Sequence, residues 1–233
     1  MNFSNKIVMI TGANGNLGRA VARAFENRGA QLVLIDQRHS DRGAALGSAP
    51  EALVLTADLL DQEQVDRAVE ATLQRFGRVD VLCHLAGGFH MGEAVHEISL
   101  PRFDFVFNLN VRSVVHIAKA VVPSFLQQGS GKIVNVGAFA ASKGIAQMGA
   151  YTASKAAVAR LTESMSAELR ERGVNVNCVL PTTLDTPENR QAMPDVDPAR
   201  WVALDDLACV ILFLASDDAR AVHGASLPVS GLS

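Results

Sequence analysis

Cysteine is scarce in this chain and badly spaced for chemistry. There are three, Cys83, Cys178 and Cys209, with no Cys-x-x-Cys pair and no Cys/His spacing. That argues against a metal or redox centre, and all three are expected to be small buried hydrophobes. Charge of one sign is also lacking. The formal net charge is −3, so no basic footprint for nucleic acid or an anionic membrane is present. No uninterrupted apolar run reaches the roughly 18 residues that span a bilayer. The N-terminal MNFSNKIVMI has no charged leader, apolar core or cleavage site, so a cytoplasmic location is expected. Repeats and low-complexity tracts are missing too. Aromatic residues make up 5%, with one tryptophan and one tyrosine, Tyr151.

What remains is an ordinary globular balance: 233 residues, 48% hydrophobic and 19% charged. The length suits one large α/β domain over residues 1–233. Short apolar runs read as strands at Ile7–Ile10, Gln31–Ile35, Leu53–Thr56, Val79–Leu85, Lys132–Val136, Val174–Leu180 and Ser226–Val229. Amphipathic stretches between them read as helices at Leu17–Asn27, Gln62–Phe76, Val111–Leu126, Thr152–Arg172 and Leu204–Ala215. The strands are nearly all apolar rather than alternating, as strands covered by helices on both faces must be. The predicted fold is therefore a doubly wound, parallel, seven-stranded sheet of Rossmann type. Two loops, Gly87–Leu100 and Thr182–Arg200, follow strands. They are placed to form a substrate pocket, because open α/β sheets bind ligands at the carboxyl ends of their strands.

The first strand ends in Thr11-Gly12-Ala13-Asn14-Gly15-Asn16-Leu17-Gly18 and runs straight into a helix. Such a turn lets the backbone approach a pyrophosphate, which the free N–H groups of a helix N-terminus then attract. The second strand ends at Asp36, 18 residues beyond Gly18. A carboxylate there accepts hydrogen bonds from the adenosine ribose and repels a 2′-phosphate, favouring NAD. Arg38, two residues on, keeps NADP possible.

These residues resemble the short-chain dehydrogenase/reductase family, and the likeness runs along the whole chain. In the cradle it implies cofactor contacts from Gly12, Gly15, Asn16, Leu17 and Gly18. Asp58, followed by Leu59, matches the family's adenine-contacting acid. His84-Leu85-Ala86-Gly87 stands where the family has Asn-Asn-Ala-Gly; Ala86 and Gly87, which would face the cofactor, are kept. Asn110 matches an asparagine that supports a proton-relay water. Tyr151 and Lys155 match the Tyr-x-x-x-Lys pair. Pro181 to Thr186 resembles the segment that holds the nicotinamide amide, with Leu184 inside it and Thr182 in place of a glycine. Positions i and i+4 share a helix face. The Lys155 ammonium is thus expected to lower the Tyr151 pKa from about 10, making the phenol a proton donor near neutral pH. The resemblance also gives Lys155 the nicotinamide ribose and implies a homodimer or homotetramer.

One residue departs from the pattern. The family places a serine 13 residues before the tyrosine, where this chain has Ala138. Losing one oxyanion donor typically costs about 10²–10³ in rate. Ser142, Thr182 and Thr183 are candidate substitutes. The dihydropteridine reductase branch of the family also has alanine here, and the loop Ala86-Gly87-Gly88-Phe89 and the run Leu184-Asp185-Thr186-Pro187-Glu188-Asn189-Arg190 resemble that branch. The resemblance implies NADH-dependent reduction of a quinonoid or imine-like small molecule. A carbonyl or alcohol dehydrogenase with a substitute hydroxyl, and a non-catalytic dinucleotide sensor, are the alternatives. His90 and His96 are candidates to face substrate. Phe89 and Trp201 could stack on a flat ring or cover the core. Asp185 and Arg190 could pair across the second loop. The stripe Leu161, Met165 and Leu169 reads as packing, in part against a neighbouring subunit.

Overall fold

The computed structural model describes residues 1–37 and 52–233; Arg38 lies outside them. Seven parallel strands form one sheet in the order β3-β2-β1-β4-β5-β6-β7. They are β1 (Ile7–Thr11), β2 (Gln31–Asp36), β3 (Leu53–Thr56), β4 (Val81–His84), β5 (Gly131–Val136), β6 (Val174–Pro181) and β7 (Ser226–Val229). Strands β1 and β4 at the centre are buried along their whole length, whereas the edge strands β3 and β7 are mostly part-buried. Parallel neighbours need a crossover, and helices supply it on both faces.

Each face has its own core. On one side α1 (Asn16–Glu26) and α7 (Leu204–Ala215) pack Val21, Phe25, Leu207, Ile211 and Leu212 against Val8 and Ile10 of β1. On the other, α2 (Gln62–Phe76) and α4 (Ser113–Gln128) pack Val65, Val69, Ile117, Val121 and Phe125 against Met9, Val33 and Ile133. Alternate residues of one strand thus enter opposite cores, which is why the strands read as unbroken apolar runs. Helix α2 begins where the Asp61 carboxylate accepts the N–H groups of Glu63 and Gln64, and ends at Gly77 in a left-handed conformation.

Three sequence expectations change. The segment before α4 is helical from Leu100, as α3 (Leu100–Phe107), and passes through a π-helical turn, Asn108–Arg112, into α4. Ser99 followed by Pro101 was the available signal, since proline fits the first turn of a helix. The resulting helix, Leu100–Gln128, is long and apolar enough by composition to span a membrane. Its apolar residues Val114, Ile117, Val121 and Phe125 are buried in the sheet cores, the seat of a core helix. The second loop also carries a short helix, α6 (Pro187–Ala192). Finally, Cys209 is exposed on α7 rather than buried.

Candidate functional site

The chain reverses its direction of winding between β1 and β4, which are neighbours in the sheet. The sequence-predicted site residues gather at the carboxyl ends of the strands around this point, as open α/β sheets dictate. Gly12 has a left-handed φ of +67°, and a Cβ there would stand 2.9 Å from the Ala86 backbone, so the cradle and the β4 loop touch. At Gly18 a Cβ would overlap the Gly12 carbonyl, so only glycine lets α1 start this close to β1. Gly15 is the residue preceding α1; no side chain caps the helix and its first turn carries no acid. The first intrahelical donor is Arg19 N–H to Gly15 O, which leaves the N–H groups of Asn16, Leu17 and Gly18 to face an anion. A dinucleotide pyrophosphate fits these residues.

Asp36 closes β2 beside this cradle, its Oδ2 accepting the Asn14 N–H at 2.9 Å. Asp58 accepts the Leu60 N–H at 2.9 Å and the Gln37 side chain at 3.3 Å, while Leu59 is buried and its carbonyl is 2.9 Å from His116 Nδ1. Pro181 ends β6. Beyond it Leu184 pairs with Val202 as an isolated bridge, and Thr186 caps α6 by accepting the Asn189 N–H. The Asp185–Arg190 pair forms, with Nε and Nη2 donating to the two carboxylate oxygens at 2.5 and 2.7 Å.

Tyr151 lies in the first turn of α5 (Gly149–Leu169), and Lys155 one turn later. The Lys155 ammonium donates to the Val136 carbonyl at the end of β5, at 2.9 Å. It also stands over Gly87: a Cβ there would be 3.0 Å from Lys155 Nζ and 2.8 Å from Asn110 Oδ1. Lys155, Asn110 and the Gly87–Gly88 loop therefore meet. Asn110 is buried in the π-helical turn. Its Oδ1 accepts the Gly88 N–H at 2.8 Å, and its amide donates to Gly88 O and Ser154 Oγ, both at 3.0 Å. With those groups committed, its side chain holds the β4 loop.

The expected acidification of Tyr151 is not what the structure gives. Burial pushes the phenol up to about 12. Lys155 is itself pushed down to about 8 by burial. The ammonium aims at a carbonyl rather than the phenol, and desolvation of a neutral acid favours its protonated form. The Phe89 ring meets the Tyr151 ring edge-to-face, with centroids 4.9 Å apart, while Phe89 stays largely exposed. Trp201 is buried and only 6% exposed, so it covers the core and offers no stacking face. His96 is exposed; His90 lies 2.8 Å from Glu93 in the same loop. Ala138 is buried, in extended backbone just after β5. Among the candidate substitutes, the Thr182 hydroxyl donates to Ser230 O at 3.0 Å and also meets Ser233 Oγ, while Ser142 is exposed. Leu169 is buried in one core with Met165 packed against it, while Leu161 packs with Met165 on a second cluster of Val114, Val158 and Cys178.

Two contacts escaped the sequence reading. His84, replacing the family's first asparagine, is fully buried between β1 and α4. Its Nδ1 lies 2.9 Å from Thr11 Oγ1 and its Nε2 3.1 Å from Ser113 Oγ. Ser113 gives its own proton to Leu109 O at 2.6 Å, so Nε2 must be the donor and Nδ1 must accept from Thr11. Burial, with the Lys155 charge nearby, pushes this imidazole down to about 3. The second is a bond across the cradle: Asn16 Nδ2 donates to Glu188 Oε2 at 2.7 Å, tying α6 to the start of α1.

The short chain dehydrogenase family profile matches residues 6–197. The chain belongs to that family. It is 32% identical to levodione reductase of Leifsonia aquatica over 98% of this chain and 94% of that one. Dehydrogenase/reductase SDR family member 6 of Danio rerio is 33% identical, covering 98% and 97%. The crystal structure of 3-ketoacyl-(acyl-carrier-protein) reductase from Brucella melitensis complexed with NADH superimposes with a TM-score of 0.87 at 30% identity, covering 98% of both chains. As a member of this dehydrogenase/reductase family, the protein is an oxidoreductase that uses NAD(H) or NADP(H) on a small molecule. With that the sensor reading falls away.

Proposed function

We propose that this short-chain dehydrogenase uses NADH to reduce a flat, conjugated, imine-like acceptor of the quinonoid dihydropteridine kind. The observation that carries this reading is Ala138, a buried methyl where a hydroxyl would otherwise support a developing oxygen anion. An acceptor protonated on nitrogen generates little such anion and does not need the donor. When bound, the nicotinamide supplies the hydride. The chain's own residues bind, orient and protonate. Burial keeps the Tyr151 phenol protonated, which suits a donor; at about 12 it is a weak acid, and an imine-like nitrogen is a stronger base than a carbonyl oxygen. The Phe89 edge against Tyr151 gives the flat ring an apolar wall beside that donor.

The cofactor contacts belong to the same proposal. Gly12, Gly15, Asn16, Leu17 and Gly18 cradle the pyrophosphate, Asp36 takes the ribose hydroxyls in preference to a 2′-phosphate, and Asp58 and Leu59 flank the adenine. Ala86 and Gly87 face the nicotinamide side, Lys155 holds its ribose, and Pro181, Leu184 and Thr186 hold its amide. Asn110 acts through the loop and Ser154 it fixes. The exposed apolar residues Leu100, Phe105 and Val115 on α3 and α4 support assembly into a homo-oligomer. A cytoplasmic enzyme is the reading its unpaired cysteines favour.

Ketone reduction is the second reading, favoured by levodione reductase and the 3-ketoacyl reductase among its relatives, with Thr183 or Ser142 giving the missing hydroxyl. Steady-state kinetics on quinonoid dihydropteridine and on simple ketones separate the two. The proposal expects turnover of the first, weak activity on the second, and a gain on ketones alone from Ala138→Ser, where one oxyanion donor contributes about 2.7–4 kcal/mol. Strong ketone reduction by the unmodified protein, removed by Ser142→Ala or Thr183→Val, overturns it.

A further inference from the structure

At the opposite end of the sheet from Tyr151 lies a cleft of about 330 Å³, open to solvent at the amino ends of β4, β5 and β6. The six residues of β5, at about 3.3 Å each, put it roughly 20 Å from the site above. Its lining is basic. Lys6, Lys132, Arg170 and Arg220 all contribute, against the acids Asp80 and Asp217.

The acids do not balance the cations. Asp80 is already engaged: it accepts the Ile7 N–H at 2.8 Å, pairs with Arg78 at 2.5 Å and lies 4.0 Å from Lys6. Among the described residues, no carboxylate comes within ion-pairing distance of Lys132, Arg170 or Arg220. Lys132 is half-buried, and its ammonium donates to Asn175 Oδ1 at 2.7 Å. The Asn175 orientation is fixed because its amide donates to Arg220 O and Val222 O at 3.0 and 2.9 Å. That lysine therefore sits on a rigid neutral partner with two ammonium protons left, in a place where burial pushes its pKa down against a smaller opposing attraction from Asp217. Helices α4, α5 and α7 all end beside the cleft, and their carboxyl ends each carry roughly half a negative charge. Three cations without an ion-pair partner exceed Asp217 and the three helix ends by about half a charge.

We propose that this cleft binds a phosphate-sized oxyanion, with Lys132 as its central donor and the guanidinium groups of Arg170 and Arg220 at the rim. Guanidinium and ammonium groups with no carboxylate partner are the chemistry that recognises such a ligand. Ser130 lines the same cleft and adds a hydroxyl beside it, whereas the Ser216 hydroxyl is committed to the Phe213 carbonyl and the Asp218 N–H.

Amide NMR titration of the intact protein with inorganic phosphate, at ionic strength held constant with sodium chloride, tests the site. Saturable shifts are expected at Gly131, Lys132 and Ser216, separately from any at Gly15 to Gly18, where the cofactor cradle also attracts phosphate. Arg220→Gln, at an exposed position, should weaken the cleft response at least tenfold while leaving the cradle response unchanged. Lys132→Met should abolish the cleft response. Shifts at the cradle alone, a linear response at the cleft, or an Arg220→Gln variant that titrates like the parent would overturn the proposal. All three readouts are independent of activity and of the acceptor proposed above.

Discussion

Tyr151 and Lys155 share a helix face, yet burial moves their acidities in opposite directions, and each shift has a kinetic consequence. With the phenol pushed up to about 12, Tyr151 stays protonated through the working range and does not limit the rate on the alkaline side. Lys155, pushed down to about 8, does. Its ammonium is the form that can hold a ribose hydroxyl as a cation, so kcat/KM should fall as pH rises through about 8, with the free-enzyme profile reporting that group. Lys155→Arg, which keeps its charge far above this range, should remove the limb or carry it alkaline, at reduced absolute rate. Tyr151→Phe removes the proton and little else. Turnover should drop by about 10²–10⁴, the usual worth of a positioned acid, with NADH affinity by fluorescence titration changed less than about twofold. Near-normal turnover by the phenylalanine variant would show that the acceptor takes its proton elsewhere.

At the scale of elements, the site depends on where a helix deviates. The π-helical turn Asn108–Arg112 aims Asn110 at the β4 loop and at Ser154 of α5, so one side chain joins three elements. Asn110→Ala leaves the Gly88 N–H and C=O and the Ser154 hydroxyl to find new partners. A buried polar group without one costs about 1–3 kcal/mol, and the variant should lose stability of that order in urea unfolding. Hydrogen exchange should accelerate at Gly88 and spare α2. Exchange rising equally over the whole sheet would mean that the asparagine supports the fold generally rather than the loop. The Asn16–Glu188 bond is a second link between elements: it brings α6 to the mouth of the cradle although 172 positions separate the two residues.

For the molecule as a whole, His84 is the buried titratable group that joins two layers, linking Thr11 of β1 to Ser113 of α4. Its folded pKa, about 3, lies below the ordinary value of 6.5. Above 6.5 the imidazole is neutral in both folded and unfolded chains and the pH dependence vanishes. As pH falls from 6.5 toward 3 the unfolded chain takes up a proton that the folded protein refuses, so stability is lost over that window. The limiting slope is about 1.4 kcal/mol per pH unit. Urea midpoints between pH 7 and 5 should therefore fall more steeply for the parent than for His84→Asn, the residue the family carries at this place. Parallel slopes would show that the unfolded chain, or other groups, set the acid sensitivity.

The architecture was legible in the linear pattern of residues. Apolar strands of four to eight residues, alternating with helical patterns, can be satisfied only by a parallel sheet covered on both faces, and all seven strands lie where that pattern puts them. The cradle was equally legible, because Gly12 and Gly18 are demanded by local geometry. The folded arrangement set whatever depends on burial and on contacts between distant segments. It placed Trp201 in the core and Cys209 on the surface. It made Phe89 a neighbour of Tyr151, and it turned the Tyr151 pKa upward where helix spacing had suggested the reverse. It also fixed the His84 tautomer through Ser113, 29 positions away. Periodicity reports which face of an element is dry. It does not report which groups meet there or how much water they lose, and those two quantities set the acidity and geometry of the site.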